Sequence, residues 1–308
     1  PYTTLFRSNA YYATAKRPRG ELFSLEVRQT IVSIDERLLT VMTLRDVSRQ
    51  LSEERRVLNN AAQLREYKTS REAENALARE MLSKLLHHNA CQTSSLHYHT
   101  ESATGFSGDV VAALRSPSGK LFVVLADATG HGLAAAISLV PALSVLHAMV
   151  ARNCALGDIV AELNAKMLDL MPVGRFLAGA IVCLDKQARQ GEIWVGGVPS
   201  VLMLSPSGAI VRTFESRQLA FGIVPTDAST RETVSFDWDQ PHQLVLISDG
   251  VLEAENVCGE PWGDARLHQA LRSAEPNQRL ESVRQALAQH LAGLLAGDDA
   301  SIATVDLP

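Results

Sequence analysis

Aspartates recur at the ends of apolar runs, each in a short turn. Asp109 follows Phe106-Ser107-Gly108, Asp127 closes Leu121-Phe122-Val123-Val124-Leu125-Ala126, Asp249 follows Leu244-Val245-Leu246-Ile247-Ser248, and Asp298-Asp299 precedes Ala300-Ser301-Ile302. Apolar runs this short, bounded by turn residues, read as buried strands, so each carboxylate is held rigidly at a sheet's rim. Several such groups cannot all stay ionised unless cations neutralise them. The converging aspartates therefore predict a divalent metal site at one end of the sheets.

A chain of 308 residues with 46% apolar and 20% charged residues has room for about two domains and a sizeable core. No apolar run is expected to reach the ~18 residues that span a bilayer, so no membrane segment is expected. The formal net charge of -5 argues against a nucleic-acid partner and leaves a protein or small phosphorylated substrate. Cys91, Cys154, Cys183 and Cys258 are scattered without C-x-x-C spacing, which predicts free thiols, a reducing compartment and a cytoplasmic location.

Residues 1–8, Pro1-Tyr2-Thr3-Thr4-Leu5-Phe6-Arg7-Ser8, open the chain without a methionine and match what one frame of a common sequencing adapter would encode. They are set aside as an expected artefact, and the chain is taken as a fragment of a longer protein. Residues 21 to 46 alternate like strands, with Leu22, Ser24, Glu26 and Arg28 against Phe23, Leu25 and Val27, followed by Leu38 to Leu44 and then Arg45-Asp46. Residues 9–46 resemble the last strands of a PAS sensor domain, whose exit often reads R-D-[I/V]-[S/T]. An isolated small hairpin is the alternative. From Val47 to His88 the chain has neither Pro nor Gly, and Val47, Leu51, Leu58, Ala61, Leu77, Met81 and Leu85 recur at helical spacing among charges. The stripe thins between Tyr67 and Ala76. Residues 47–90 are thus expected to form a helical signalling linker, either a two-stranded coiled coil that makes a homodimer or a single helix lying on the following domain.

The remaining region, 91–308, predicts strands near 96–100, 109–114, 120–126, 177–184, 190–196, 200–205, 209–214, 231–236, 243–248 and 301–306. Helices are predicted at 133–151, 156–170, 264–274 and 277–295. The first of these helices is rich in Ala, Leu and Val on nearly all faces and is expected to be largely buried. Two sheets with helices outside them are the layers such a set can close into, an α+β architecture.

In order and in neighbours, the aspartates resemble those of the metal-dependent serine/threonine protein phosphatases, the protein phosphatase 2C-like or PPM family. Within it the bacterial SpoIIE/RsbU branch is similar over roughly residues 78 to 306. Asp127-Ala128-Thr129-Gly130-His131-Gly132 resembles its D-x-S-G-H/K-G element, Ser248-Asp249-Gly250-Val251 its S-D-G-V element, and Asp298-Asp299 its closing acidic pair. Leu77 to Leu86 resembles the A-R-E-x-Q-x-x-L-L-P segment, with Met81-Leu82 and His87 in place of its polar and proline residues. The fold implied is a four-layer α-β-β-α sandwich preceded by a long helical linker.

The activity implied is hydrolysis of phosphoserine or phosphothreonine on a regulatory partner of the anti-anti-sigma-factor type. Two cations turn a water into hydroxide and cancel charge on the phosphoryl oxygens, so no nucleophilic side chain is required. Hard carboxylate ligands favour two Mn²⁺ or Mg²⁺ ions over zinc. By resemblance, Asp127 bridges both ions beside the carbonyl of Ala128, Asp249 and Asp298 complete one shell, and Asp109 holds the other ion directly or through waters. Asp299, at a position often Asn in relatives, acts from behind these ligands. His131 joins Asp127 and Asp249 as a catalytic candidate, with backbone positioning or phosphate contact placed ahead of proton transfer.

The chain departs from the family pattern at three places. The second acid of G-G-D-x-x-D is Ala112, Gly196-Gly197-Val198-Pro199 lacks the His of G-G-H-P, and Leu219-Ala220-Phe221-Gly222-Ile223 lacks the Pro of L-P-L-G-I. Ala112 is expected to cost an auxiliary group, and the glycines to serve as structural turns or as a regulatory loop. His87, His88, Cys91, His97 and His99 form a second constellation, readable as structural zinc ligands or as a polar junction, although their spacing matches no zinc module. Two other functions stay open: a metal-poor pseudophosphatase that binds its partner without turnover, and another two-metal enzyme such as a nucleotide cyclase, for which no basic or Gly-rich cradle is present.

Overall fold

The computed structural model describes residues 4–34, 37–87, 93–103, 105–227, 230–294 and 296–308. His88 and Cys91 of the histidine–cysteine constellation lie outside the described residues. The chain divides into two compact units, Pro1–Leu77 and Ala78–Pro308.

In the first unit, β1 (Thr4–Lys16), β2 (Leu22–Ile34) and β3 (Arg37–Asp46) form an antiparallel meander in the order β1-β2-β3. β1 thus starts inside the octapeptide expected to be an artefact. Val27 and Val47 are the buried apolar side chains described here, whereas Tyr12, Leu38, Met42 and Leu44 are each more than half exposed. Asp46 ends β3 and starts the next element, because its Oδ1 accepts the Ser48 N–H at 3.1 Å and its other oxygen meets Arg17. The Ser48 contacts, first of all, hold its carboxyl below the usual range. The helix α1 (Ser48–His87) follows, steadied on its surface by i,i+4 pairs such as Arg49–Glu53 at 2.8 Å.

In the second unit, β4 (Leu96–Glu101), β9 (Val201–Leu204), β10 (Ile210–Phe214), β12 (His242–Ile247) and β13 (Ala300–Leu307) make one sheet, ordered β10-β9-β12-β13-β4. β5 (Asp109–Arg115), β6 (Leu121–Ala128), β7 (Leu177–Asp185), β8 (Gln190–Gly196) and β11 (Val234–Asp237) make the other, ordered β11-β8-β7-β6-β5. All pairings are antiparallel. The helices α2 (Leu133–Ala151) and α3 (Leu156–Leu170) lie on the second sheet, and α5 (Gly263–Arg272) and α6 (Arg279–Leu291) on the first. The result is the four-layer α-β-β-α sandwich expected from the sequence.

The alternation of side chains explains why its strands read as unbroken apolar runs. In β6, Leu121, Val123 and Leu125 enter the core between the sheets, while Phe122, Val124 and Ala126 enter the core under α2 and α3. Both faces are covered, so both must be apolar.

Three expectations need correction. Only one stripe of α2 is buried (Ala135, Ala136, Leu139, Ala142, Leu143, Leu146 and Val150), because the helix is an outer layer, and Ile137 is 53% exposed. An apolar stretch of sufficient length does exist: Leu133–Ala151 spans 19 residues and is long and apolar enough to cross a membrane by those measures alone. Here its buried stripe packs onto β5, β6 and α3. A short helix, α4 (Asp249–Glu253), stands where only a turn was expected after Ser248. Leu125 is fully enclosed in the inner core, so Leu125→Ala should destabilise the second unit by about 2–5 kcal/mol, read as a lowered denaturation midpoint.

Candidate metal centre

The strand register brings the acids to one end of the sandwich. Asp109, the first residue of β5, stands directly opposite Asp127 in β6. Both continue the inner-face series of their strands, Val111–Ala113 and Leu121–Val123–Leu125. In the facing sheet the inner-face series Leu244–Leu246 and Ala303–Val305 lead to Ser248 and Ser301 at the same end. Asp249 opens α4 just beyond Ser248, and Asp298-Asp299 precede β13. The apolar layer between the sheets is therefore capped by carboxylates and hydroxyls.

Burial sets the electrostatics. Asp109 is 4% exposed, and neither carboxylate oxygen has a hydrogen-bond partner of good geometry. Desolvation pushes its carboxyl up to about 7, against the lowering effect of the nearby Ser248 and Ser301 hydroxyls. Asp127 is raised to about 9, first by burial, then by the charges of Asp109 and Asp249, by hydrogen bonding with Asp249, and by the charge of Asp298.

Asp299 has a different task. It is buried, and its Oδ1 and Oδ2 accept the N–H groups of Ala103 at 2.8 Å and Gly108 at 2.5 Å. It thus clamps the loop that leads into Asp109, while Asp298 beside it is exposed. Gly250 makes this arrangement possible, since a Cβ there would lie 2.1 Å from the Asp299 carbonyl oxygen.

The 127–132 turn is held from outside. The Ala128 N–H donates to the Gly108 carbonyl at 2.9 Å, and Thr129 exchanges three bonds with Phe176. Arg175 Nη1 donates to the Thr129 carbonyl at 3.2 Å. Gly130 and Gly132 both have φ of 83°, a conformation that L side chains rarely adopt. His131 between them is exposed. Ala112 is buried in the core under α2, away from this rim.

Sequence reasoning missed Ser248, Ser301 and Arg175. The two serines could have been found by counting two residues on from Leu246 and two back from Ala303. Arg175 gave no signal, because its proximity depends on the β6–β7 pairing.

The donor set suits hard cations: it offers oxygen alone, it includes a buried carboxylate with two unmatched oxygens, and its members repel one another. No group of three or more His, Cys, Asp or Glu side chains among the described residues is already arranged to hold an ion, so the acids share a field without forming a closed cage. Of the second constellation, His97 Nε2 lies 3.5 Å from Asp306 and His99 Nε2 lies 4.0 Å from Glu101, so each imidazole faces a carboxylate. Cys154, Cys183 and Cys258 are free thiols.

A family model for stage II sporulation protein E (SpoIIE) matches residues 117–308. The structure is similar to the SiaA-PP2C domain of Pseudomonas aeruginosa, with a TM-score of 0.65 and 18% identity, covering 80% of this chain and 100% of that one. It is similar to the PP2C phosphatase domain and regulatory-domain fragment of SpoIIE from Bacillus subtilis at 0.58 and 15%, covering 70% of this chain and 64% of that one. RsbX in complex with magnesium gives 0.52 and 15%, covering 71% and 98%. At these identities the likeness establishes the fold. No curated protein matches the chain significantly in sequence.

The raised carboxyls fix how stability depends on pH without metal. Asp127 has a folded value of about 9 against 3.8 when unfolded, so the fold binds the proton more tightly. Its contribution is complete below about pH 4 and is lost as pH rises toward 9, with Asp109 adding to the loss up to about 7. The metal-free protein should show a falling melting temperature between pH 5 and pH 8, and Mn²⁺ should restore more at pH 8 than at pH 5. Differential scanning calorimetry with EDTA and with Mn²⁺ checks both.

Proposed function

We infer, because the chain belongs to the stage II sporulation protein E family, that it is a Mn²⁺- or Mg²⁺-dependent protein serine/threonine phosphatase of bacterial signal transduction. Its substrate is a phosphoserine or phosphothreonine on a cytoplasmic partner of the anti-anti-sigma-factor type. The observation that carries this reading is the pairing of buried Asp109 with half-buried Asp127, flanked by Asp249 and Asp298, which leaves carboxylates that stay ionised at neutral pH only when metal ions balance them.

Asp109, Asp127, the Ala128 carbonyl, Asp249 and Asp298 are the residues that would hold two ions. When bound, the ions supply a nucleophilic water at neutral pH and neutralise phosphoryl charge. Asp299 fixes the loop carrying Asp109, and the glycines on either side of His131 let the backbone turn beside the acids. The exposed His131 is assigned backbone positioning or a phosphate contact ahead of proton transfer. A second reading, a pseudophosphatase that binds the same partner without turnover, draws on the open arrangement of the acids.

The full chain should hydrolyse p-nitrophenyl phosphate with Mn²⁺ or Mg²⁺ and lose that activity on exhaustive EDTA treatment. Activity indifferent to EDTA would rule out the metal reading, and Mn²⁺ binding without turnover would favour the pseudophosphatase. Asp127→Asn and Asp249→Asn should each cost more than Asp299→Asn, whose loss should stay within the roughly 10–100-fold typical of groups that orient ligands.

Control is assigned to the first unit and to α1, read as the end of a PAS-like sensor and a linker. Its sheet exposes Leu38, Met42 and Leu44, and α1 exposes Val57, Leu58, Leu64, Tyr67 and Leu77, an apolar surface suited to a second copy of the chain. Pairing along α1 would let a rotation or register change reach the phosphatase domain. The chain should therefore be dimeric, and insertion of Gly-Gly after Ala73 should change phosphatase activity without changing Mn²⁺ affinity. A monomer by sedimentation at concentrations on the order of tens of micromolar, with a silent insertion, would make α1 a passive tether.

A further inference from the structure

We propose that Arg175 grips the phosphoryl group of the substrate, a phosphate monoester dianion, at the edge of the acid cluster. The assignment rests on the phosphatase reading above and adds a residue to it.

Asp127 pairs with Ala178 and Ala128 with Leu177, and the bond from the Thr129 N–H to the Phe176 carbonyl carries the ladder one step past the strand end. Arg175 is the next residue, ~10 Å along the strand from the position opposite Asp127. Its guanidinium is already turned back onto the carbonyl of Thr129, two residues beyond Asp127. It is half-buried, so it is both positioned and reachable.

The bond to Thr129 is not needed to hold the turn. Thr129 N–H and Oγ1–H both donate to the Phe176 carbonyl, at 3.1 and 2.8 Å, and Oγ1 accepts the Phe176 N–H at 3.0 Å. These three bonds fix the same junction without the side chain of Arg175. Among the described residues no ion pair holds this guanidinium, even though Asp109, Asp127, Asp249, Asp298 and Asp299 gather at the same rim. A planar guanidinium with most of its five donors uncommitted matches the oxygens of a phosphoryl group.

The other bases nearby fit less well. Arg79 lies over the Phe106 ring at 5.1 Å, on the loop before Asp109, where its cation is engaged with the ring face. His131 is exposed and offers a single-point contact.

The test uses the full chain loaded with Mn²⁺, with p-nitrophenyl phosphate as substrate and inorganic phosphate as ligand. Arg175→Ala should raise KM and the inhibition constant of phosphate together by roughly ten- to a hundredfold. Arg175→Lys, which keeps the charge but loses the fork, should fall between. Mn²⁺ affinity and melting temperature should stay at wild-type values in both variants. An unchanged inhibition constant in Arg175→Ala overturns the proposal, as does a loss that follows weakened Mn²⁺ binding, which would mark a structural clasp. Phosphate should also raise the melting temperature of the Mn²⁺-loaded wild type and not of Arg175→Ala. If the wild type binds Mn²⁺ and shows that shift but turns nothing over, the phosphatase reading fails while the grip by Arg175 stands.

Discussion

Asp109 and Asp127 face each other across neighbouring antiparallel strands, inside the sandwich. Two negative charges ~5 Å apart repel by on the order of 3 kcal/mol at the effective dielectric of a partly buried site. Desolvation is nevertheless the larger cause of the raised carboxyls, at about 7 for Asp109 and about 9 for Asp127, and the charge of Asp109 comes next at Asp127. No arginine or lysine pairs with either acid among the described residues, so protons or metal ions must supply the balance. The local sequence around the site serves that requirement: the clamp of Asp299 on the 103–108 loop, the glycine at 250, and the tight turn from Gly130 to Gly132.

The same strands build the core and the site by a change of residue type at one end. Along β6 the inner-face positions run Leu121, Val123, Leu125 and then Asp127, and along β12 they run Leu244, Leu246 and then Ser248. Rigidity comes from the apolar part, which is close-packed on both faces, and reactivity from the last position. Loop placement alone would leave the acids free to move apart. Here the register of β5 with β6 and of β12 with β13 prevents it.

Much of this was legible in the sequence because sandwich strands are covered on both sides and read as plain apolar runs between turns. Leu177–Asp185, Gln190–Gly196 and both helices after Gly132 fall where the pattern places them. What remained hidden depends on contacts between distant segments. Composition could not show that α2 has an exposed side, since Ala and Leu surround it and only its packing on β5 and β6 selects the buried stripe. The short helix after Ser248 was missed because five residues carry too little periodicity, and Arg175 because only strand pairing brings it to Thr129. The aspartates were found as candidates, and the family resemblance set Asp299 behind Asp298, but the sequence could not show what holds Asp299. The geometry shows one exposed and the other spent on two backbone N–H groups.

The most direct measurement is calorimetric titration of the metal-free chain with Mn²⁺ at pH 7 in buffers of different ionisation enthalpy, which counts both the ions bound and the protons released. Two ions per chain with release of about one proton or more, mainly from Asp127, is the result expected from carboxyls held at about 7 and about 9. Absence of binding, or binding with no proton release, would contradict the claim that the facing aspartates are a charge problem solved by cations.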